Sequence, residues 1–151
     1  MTEPTIRSVG LADFPRLLEI QIECINSLTA TYTPEQLSRW VGYIREASPH
    51  RYSRFSNLAY VDKENTIQAF ISWTSSDTDT VVECLYVREP YQNRGIAKIL
   101  LENAEADLRG KVVRVRSTLN ARSFYEHHGY IFKTSDMSRA GFSIACLEKQ
   151  L

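Results

Sequence analysis

Apolar positions along the chain switch repeatedly between a period of two and a period near 3.6. Residues 4–9 form a short strand-like run. Phe14, Leu17, Leu18, Ile22, Ile25 and Leu28 then follow the spacing of an amphipathic helix, with Asp13 placed to cap it. Thr33-Pro34-Glu35-Gln36 supplies a cap residue, a proline at the first helical position and glutamine at the third. Leu37, Trp40, Val41 and Ile44 form the stripe behind it, so a second helix begins at Pro34 and stops before Pro49. The middle of the chain reads as strand: Leu58 to Val61 and Thr66 to Trp73 are joined by a turn at Asp62-Lys63-Glu64-Asn65, and Thr80 to Val87 follows a second turn at residues 75–79. Gly95 to Arg109 returns to helical spacing through Ile96, Ile99, Leu100, Ala104 and Leu108, with Gly110 as the stop signal. Lys111 to Ser117 alternates Val113 and Val115 against Arg114 and Arg116. Asn120 is placed to cap a short helix ended by Gly129, and Tyr130 to Lys133 and Phe142 to Leu147 close the chain as strands.

The resulting order, βααβββαβαββ, predicts an α/β layered fold around a mixed sheet, in one domain spanning residues 1–151. No 20–50-residue period and no low-complexity segment argues for anything else.

Charge changes the picture only by exclusion. Eighteen Lys and Arg balance eighteen Asp and Glu, so the chain lacks the basic excess that drives nucleic-acid binding. Cys24, Cys84 and Cys146 are odd in number and lack metal or redox spacing, and they read as reduced thiols. No metal site is expected. Neither a leader pattern nor an apolar run of about 20 residues is present, which predicts a cytoplasmic protein without membrane contact.

The segment richest in chemistry is Leu85 to Lys98, a strand passing through a tight loop into a helix. Free amides at a helix N-terminus favour an anion, Gly95 lets the backbone approach a phosphate, and Arg94 and Lys98 add positive charge. Other phosphate loops are excluded by spacing. The Gly110-Lys111 pair has Glu105 where a GxxxxGK loop needs glycine, and no two of the six glycines lie two apart as GxGxxG requires.

Gln92-Asn93-Arg94-Gly95-Ile96-Ala97 resembles the [Gln/Arg]-x-x-Gly-x-[Gly/Ala] signature of the GNAT superfamily of N-acetyltransferases, with Leu-Tyr-Val-x-x-Pro ahead of it as in that family. Ala121 to Tyr130 is similar to the family's Ala-x-x-Phe-Tyr-Glu-x-x-Gly-[Phe/Tyr] segment, one helix and one strand downstream. The resemblance implies a mixed, largely antiparallel sheet of about seven strands flanked by four helices, with acetyl-CoA as donor. Its pyrophosphate would rest on the amides of Gln92, Asn93, Arg94, Gly95, Ile96 and Ala97, near Lys98. Its pantetheine arm would pair like an added strand with the backbone of Leu85, Tyr86 and Val87. Two positions depart from the pattern. Thr118 stands where the family often has Asn, leaving Asn120 either to reach the cofactor or to cap a helix, and Ala69 stands where the family usually has Gly.

By the same resemblance Tyr125 is the general acid, a phenol able to protonate a departing thiolate. Glu83 is the candidate general base; alternation along its strand puts it on one face with Val81, Leu85 and Val87. His127 and His128 read as helix-end surface residues, and Arg114 and Arg116 as a solvated strand face. Trp40 and Trp73 fit either core or pocket walls. The implied activity is acetyl transfer to a primary amine, with a noncatalytic acyl-CoA-binding module or a protein N-terminal acetyltransferase as alternatives. Similar proteins often pair as homodimers, and the resemblance extends that expectation to this chain. Residues 1–84 hold seven cations against eleven anions and residues 85–133 nine against five. That partition predicts a basic donor site and, through the acidic helices, a cationic acceptor.

Overall fold

The computed structural model describes residues 5–47 and 49–151; residue 4 of the first expected strand lies outside them. The first helix, α1, runs Phe14–Asn26 and buries Phe14, Leu17, Ile20, Gln21, Cys24 and Ile25. Asp13 stands at its N-cap position, as expected, but also ends a 3-10 turn at Leu11–Asp13 and makes no side-chain capping bond to the helix. The carboxylate of Asp13 instead accepts the Gly10 amide at 2.9 Å and the Arg7 guanidinium at 2.9 and 3.0 Å. Leu28 lies beyond the helix, in the turn leading to α2, Pro34–Ala47. That second helix starts as its sequence dictates. The Thr33 hydroxyl accepts the Gln36 amide at 3.2 Å while the Gln36 side chain accepts the Thr33 amide at 2.9 Å, so two orphan donors are satisfied reciprocally.

Seven strands form one sheet: β1 Thr5–Ser8, β2 Ser56–Val61, β3 Ile67–Ser75, β4 Thr80–Val87, β5 Val112–Ser117, β6 Ile131–Met137 and β7 Ser143–Gln150, in the order β1-β2-β3-β4-β5-β7-β6. All pairings are antiparallel except β4 with β5. This is the mixed, largely antiparallel sheet with four helices that the sequence implied. Helix α3, Ile96–Ala106, and the short α4, Arg122–His127, complete it. One core lies beneath α3 and α4, around Ile71, Leu100, Leu101, Val113, Tyr125 and Leu147. On the other face, Leu17, Ile20, Tyr52 and Phe70 pack beneath α1, and Tyr32, Ile44, Phe142 and Ile144 beneath α2.

Two features of β4 shape everything functional. First, its parallel ladder with β5 has only two steps, Val81↔Arg114 and Val82↔Val115, after which Cys84 to Val87 pair with β3 alone. Secondly, the β3 register slips there: Trp73 pairs with Val82 and Ser72 with Cys84, so Glu83 is the extra residue of a β-bulge. The bulge breaks the period of two. Val82, Leu85 and Val87 pack on the α3 side, whereas Cys84 and Tyr86 pack on the α1 side. Glu83 therefore does not share a face with Leu85 and Val87, as simple alternation requires.

Other boundaries moved for local reasons. Helix α3 ends at Ala106, three residues before Arg109, because the chain tightens into turns at Asp107 and Leu108 before the left-handed Gly110. Ile99, assigned to its apolar stripe, is 38% exposed. Strand β6 extends to Met137 because its pairing with β7 continues through Met137↔Ser143 to a tight turn at residues 138–142.

Candidate active site

The loop entering α3 is built from its own backbone. A 3-10 turn at Glu89–Tyr91 follows β4, and the Gln92 side-chain amide donates back to the Val87 carbonyl at 2.9 Å. Asn93 and Gly95 then adopt left-handed conformations, with φ of 62° and 80°. Among the described residues, no protein acceptor takes the backbone amides of residues 93–98. Alternating left-handed residues gather such amides into an anion-binding concavity, and the helix dipole adds to it. A Cβ added at Gly95 would meet nothing within 4 Å; it would project into open space. The loop borders a cavity of about 550 Å³ that is also lined by Val87, Tyr91, Lys98, Asn120, Phe124, His127 and His128.

Each expected donor-site residue can now be placed. Gln92, Asn93, Gly95, Ile96, Ala97 and Lys98 line this cavity, while the Arg94 guanidinium sits 5.9 Å from the Tyr91 ring and is not part of the lining. Asn120 lines it too and caps nothing: it lies inside a 3-10 turn, Leu119–Ala121, and α4 begins after Ala121 without a side-chain cap. His127 and His128 stand at the end of α4, His127 exposed and His128 half-buried, and both also line this cavity. Burial, then the charges of His127 and Lys98, holds the His128 imidazole below its ordinary range. Tyr91 lines the cavity from the loop's own 3-10 turn, whereas nothing in the residue pattern marked the two histidines, because they reach the cavity only when α4 packs beside the loop.

Beyond Val82, where β4 and β5 cease to pair, the strands border a narrow slot of about 60 Å³. Leu85 and Tyr86 line one side, Val115 to Thr118 the other, and Ala121 and Tyr125 close it. The Tyr86 ring is packed against Phe70, 5.8 Å between centroids. Tyr125 is 5% exposed, held edge-on by Phe124 and Tyr130 at 5.2 and 5.6 Å. Burial, reinforced by Cys84, pushes its phenol far above the ordinary value, so it carries its proton throughout the neutral range. Burial likewise pushes the thiols of Cys24 and Cys84 up to about 12, leaving neither as a ready thiolate nucleophile.

A third cavity, of about 400 Å³, opens between α2, the turn after it and the β6–β7 hairpin. Glu83 and Arg116 line both it and the slot. The carboxylate of Glu83 accepts the Thr74 hydroxyl at 3.2 Å. Trp40 and Phe142, 4.5 Å apart, form an aromatic wall, whereas Trp73 is core. The charge of this cavity runs against the expected cationic acceptor. Arg51, Arg54, Arg116 and Arg139 line it, with Glu83 as the one acid among the described lining residues. Four acidic side chains of residues 1–84 are paired elsewhere: Asp13 with Arg7, Glu19 with Arg16, Glu23 with Arg88 and Asp79 with Arg114. Among the described residues no three His, Cys, Asp or Glu side chains gather as a metal-ligand set, and no helix is long and apolar enough to cross a membrane.

The site thus joins an anion cradle, a slot bordered by β4 backbone, and a polar pocket. An acyl-CoA has matching parts, a pyrophosphate and an extended arm, and the open space over Gly95 together with the unpartnered amides fits the first of them.

Comparison with known proteins agrees. The family model described as "Acetyltransferase (GNAT) domain" matches residues 28–151. No curated protein sequence matches the chain significantly. Among solved structures, a GCN5-related N-acetyltransferase of Rhodopseudomonas palustris is similar at 25% identity, with a TM-score of 0.86 over 100% of this chain and 98% of that one. An N-acetyltransferase, paia, of Thermoplasma acidophilum, solved with coenzyme A, is 19% identical, with a TM-score of 0.76 over 99% and 100% of the two chains. A phosphinothricin acetyltransferase of Sinorhizobium meliloti, solved with acetyl-CoA, shares the fold at 16% identity, with a TM-score of 0.67 over 99% and 89%.

Proposed function

The chain belongs to the GNAT acetyltransferase family, and from that premise we propose that it moves an acetyl group from acetyl-CoA to the primary amine of a small molecule by direct transfer. The observation that carries this reading is that Tyr125 and Glu83 line one slot, whose residues Tyr86, Ala121 and Tyr125 adjoin Val87, Asn120 and Phe124 of the cradle cavity and which shares Glu83 and Arg116 with the arginine-rich pocket.

The amides of residues 93–98, with Lys98 beside them, would hold the donor's pyrophosphate; the backbone of Leu85 to Val87 would hold its arm; Asn120 borders the same cavity. Bound acetyl-CoA supplies a thioester whose carbon–sulfur bond breaks as the carbon–nitrogen bond to the amine forms. Glu83, exposed to the pocket, removes a proton from the amine, directly or through water. Tyr125 gives its proton to the sulfur. The phenol suits that role because its burial keeps it protonated. The aromatic wall of Trp40 and Phe142 positions the acceptor and narrows its access to water.

The test is thiol release from acetyl-CoA by the full chain with a panel of primary amines, run with wild type and Tyr125→Phe. Amine-dependent release that Tyr125→Phe abolishes supports the reading. Coenzyme A binding without turnover on any amine would make the chain an acyl-CoA-binding module instead.

A further inference from the structure

The acceptor pocket is rich in cations, and its four arginines come from three separate segments. Arg51 and Arg54 lie on the 3-10 turn after α2, Arg116 on β5, and Arg139 on the β6–β7 hairpin. Among the described residues, no carboxylate pairs with Arg51, Arg54 or Arg139. Arg51 lies 5.6 Å from the Tyr52 and Phe55 rings, Arg139 donates to the Tyr43 hydroxyl at 3.2 Å, and Arg116 reaches the exposed Asp136 only at 3.5 Å. Four guanidinium groups around one cavity of about 400 Å³ repel one another and repel a polycation. Planar guanidinium forks match an oxyanion in two-pronged fashion, which an aromatic-walled surface without an anion would leave unused.

The slot side of the pocket is different. Glu83, its one described acid, borders the slot that leads to Tyr125 and Arg116 lines that slot too, whereas Arg51, Arg54 and Arg139 line the pocket without bordering the slot. The pocket therefore has two poles: a carboxylate where an amine must arrive, and guanidinium groups where an anion would be held.

We propose that the acceptor is an amine-bearing small acid, with its amine at Glu83 and its oxyanion, a carboxylate or a phosphonate, held by Arg51, Arg54 and Arg139. This rests on the acetyl-transfer reading above and replaces the cationic acceptor that the linear charge partition implied. The arginines act in specificity: they lower KM for acceptors of the right charge and orient the amine toward the slot.

The test uses matched acceptors that differ in the group carried on an aminoethyl unit: β-alanine, 2-aminoethylphosphonate, propylamine and 1,3-diaminopropane, and separately phenylalanine with phenethylamine. Thiol release is measured for wild type, Arg51→Ala and Arg139→Ala, with thermal unfolding as the check on folding. Binding of the same compounds to the coenzyme A-saturated protein is measured by calorimetry. The acidic member of each set is expected to show at least a tenfold higher kcat/KM than its uncharged-tail partner. Each arginine variant is expected to reduce that preference at least fivefold, mainly through KM. β-Alanine against the phosphonate tells which oxyanion is preferred. Better turnover of propylamine or the diamine would overturn the acidic acceptor while leaving acetyl transfer standing. Arginine-dependent binding of the acids without thiol release on any amine would sustain the anion site and overturn the transfer reading. If the acids neither bind nor turn over, the proposal fails outright.

Discussion

The side-chain amide of Gln92 donates to the main-chain carbonyl of Val87 at 2.9 Å, tying the loop that enters α3 back to the end of β4. The same carbonyl receives the Cys24 thiol at 3.4 Å from α1. Gln92, the first residue of the loop signature, thus serves the geometry of the cradle, and the main-chain amides after it are left for the anion. Gln92→Ala is expected to cost about 0.5–1.5 kcal/mol, a fall in Tm of a few degrees. Calorimetry should show acetyl-CoA affinity falling several-fold, because the loop then has to be ordered on binding. Unchanged affinity would mean that the turn at Glu89–Tyr91 holds the loop alone.

Gly95 separates binding from stability. Its φ of 80° costs an L-residue roughly 1–2 kcal/mol, yet a Cβ there would touch nothing of the chain within 4 Å. Gly95→Ala should therefore leave a folded protein with a modestly lowered Tm while weakening acetyl-CoA binding at least tenfold. Equal affinity in wild type and variant would show that nothing of the donor occupies that space.

Tyr125→Phe removes a hydroxyl that donates to no protein acceptor among the described residues and leaves its ring packing in place. Stability should change little, while kcat falls about 10²–10⁴-fold with KM for acetyl-CoA nearly constant. Because burial raises this phenol, the wild-type rate should show no loss attributable to Tyr125 between pH 7 and about 10. A decline in that window that Tyr125→Phe abolishes would contradict a permanently protonated acid.

Glu83→Gln preserves the shape of the bulge and removes the negative charge. A drop in kcat of about 10²-fold is expected, larger for strongly basic amines than for weakly basic ones, since the latter arrive already deprotonated. A uniform drop across amines would point to lost positioning instead of lost proton transfer.

The Arg7–Asp13 pair gives an acid-sensitive contact far from the site. Arg7 hydrogen bonding holds the Asp13 carboxyl below its ordinary value of 3.8. The folded form therefore binds the proton less readily than the unfolded chain, and the stabilisation is present above that value and lost as pH falls through it. Asp13→Asn should cost no more than about 1 kcal/mol at pH 7, given partial exposure, with the gap closing below about pH 4. Urea midpoints of the two proteins across pH 3–7 measure it.

What could be read from residues alone is what short-range geometry controls. The Thr33 to Gln36 capping box, the alternation of Val113 and Val115 with Arg114 and Arg116, and the strand-loop-helix at Leu85 to Lys98 each need only neighbours in sequence, so their patterns carried over directly. Asn120 failed as a cap because a 3-10 turn intervenes before α4, a choice that depends on how Thr118 and Ala121 meet, the Ala121 amide bonding the Thr118 carbonyl at 3.1 Å.

The amino-acid sequence by itself determined the family, the element order and the anion loop, because these rest on backbone conformation and local spacing. Tertiary structure alone decided the side of the sheet to which Glu83 belongs, since a one-residue slip of β3 against β4 is a property of pairing and not of either strand. It also decided the charge of the pocket beside Glu83. Arg51, Arg54, Arg116 and Arg139 are scattered over 89 positions and straddle the acidic and basic parts of the chain. They share one cavity only because the turn after α2, β5 and the β6–β7 hairpin close around it. Coulomb energy follows distance in space, and summing charge along the chain could not show which groups would meet.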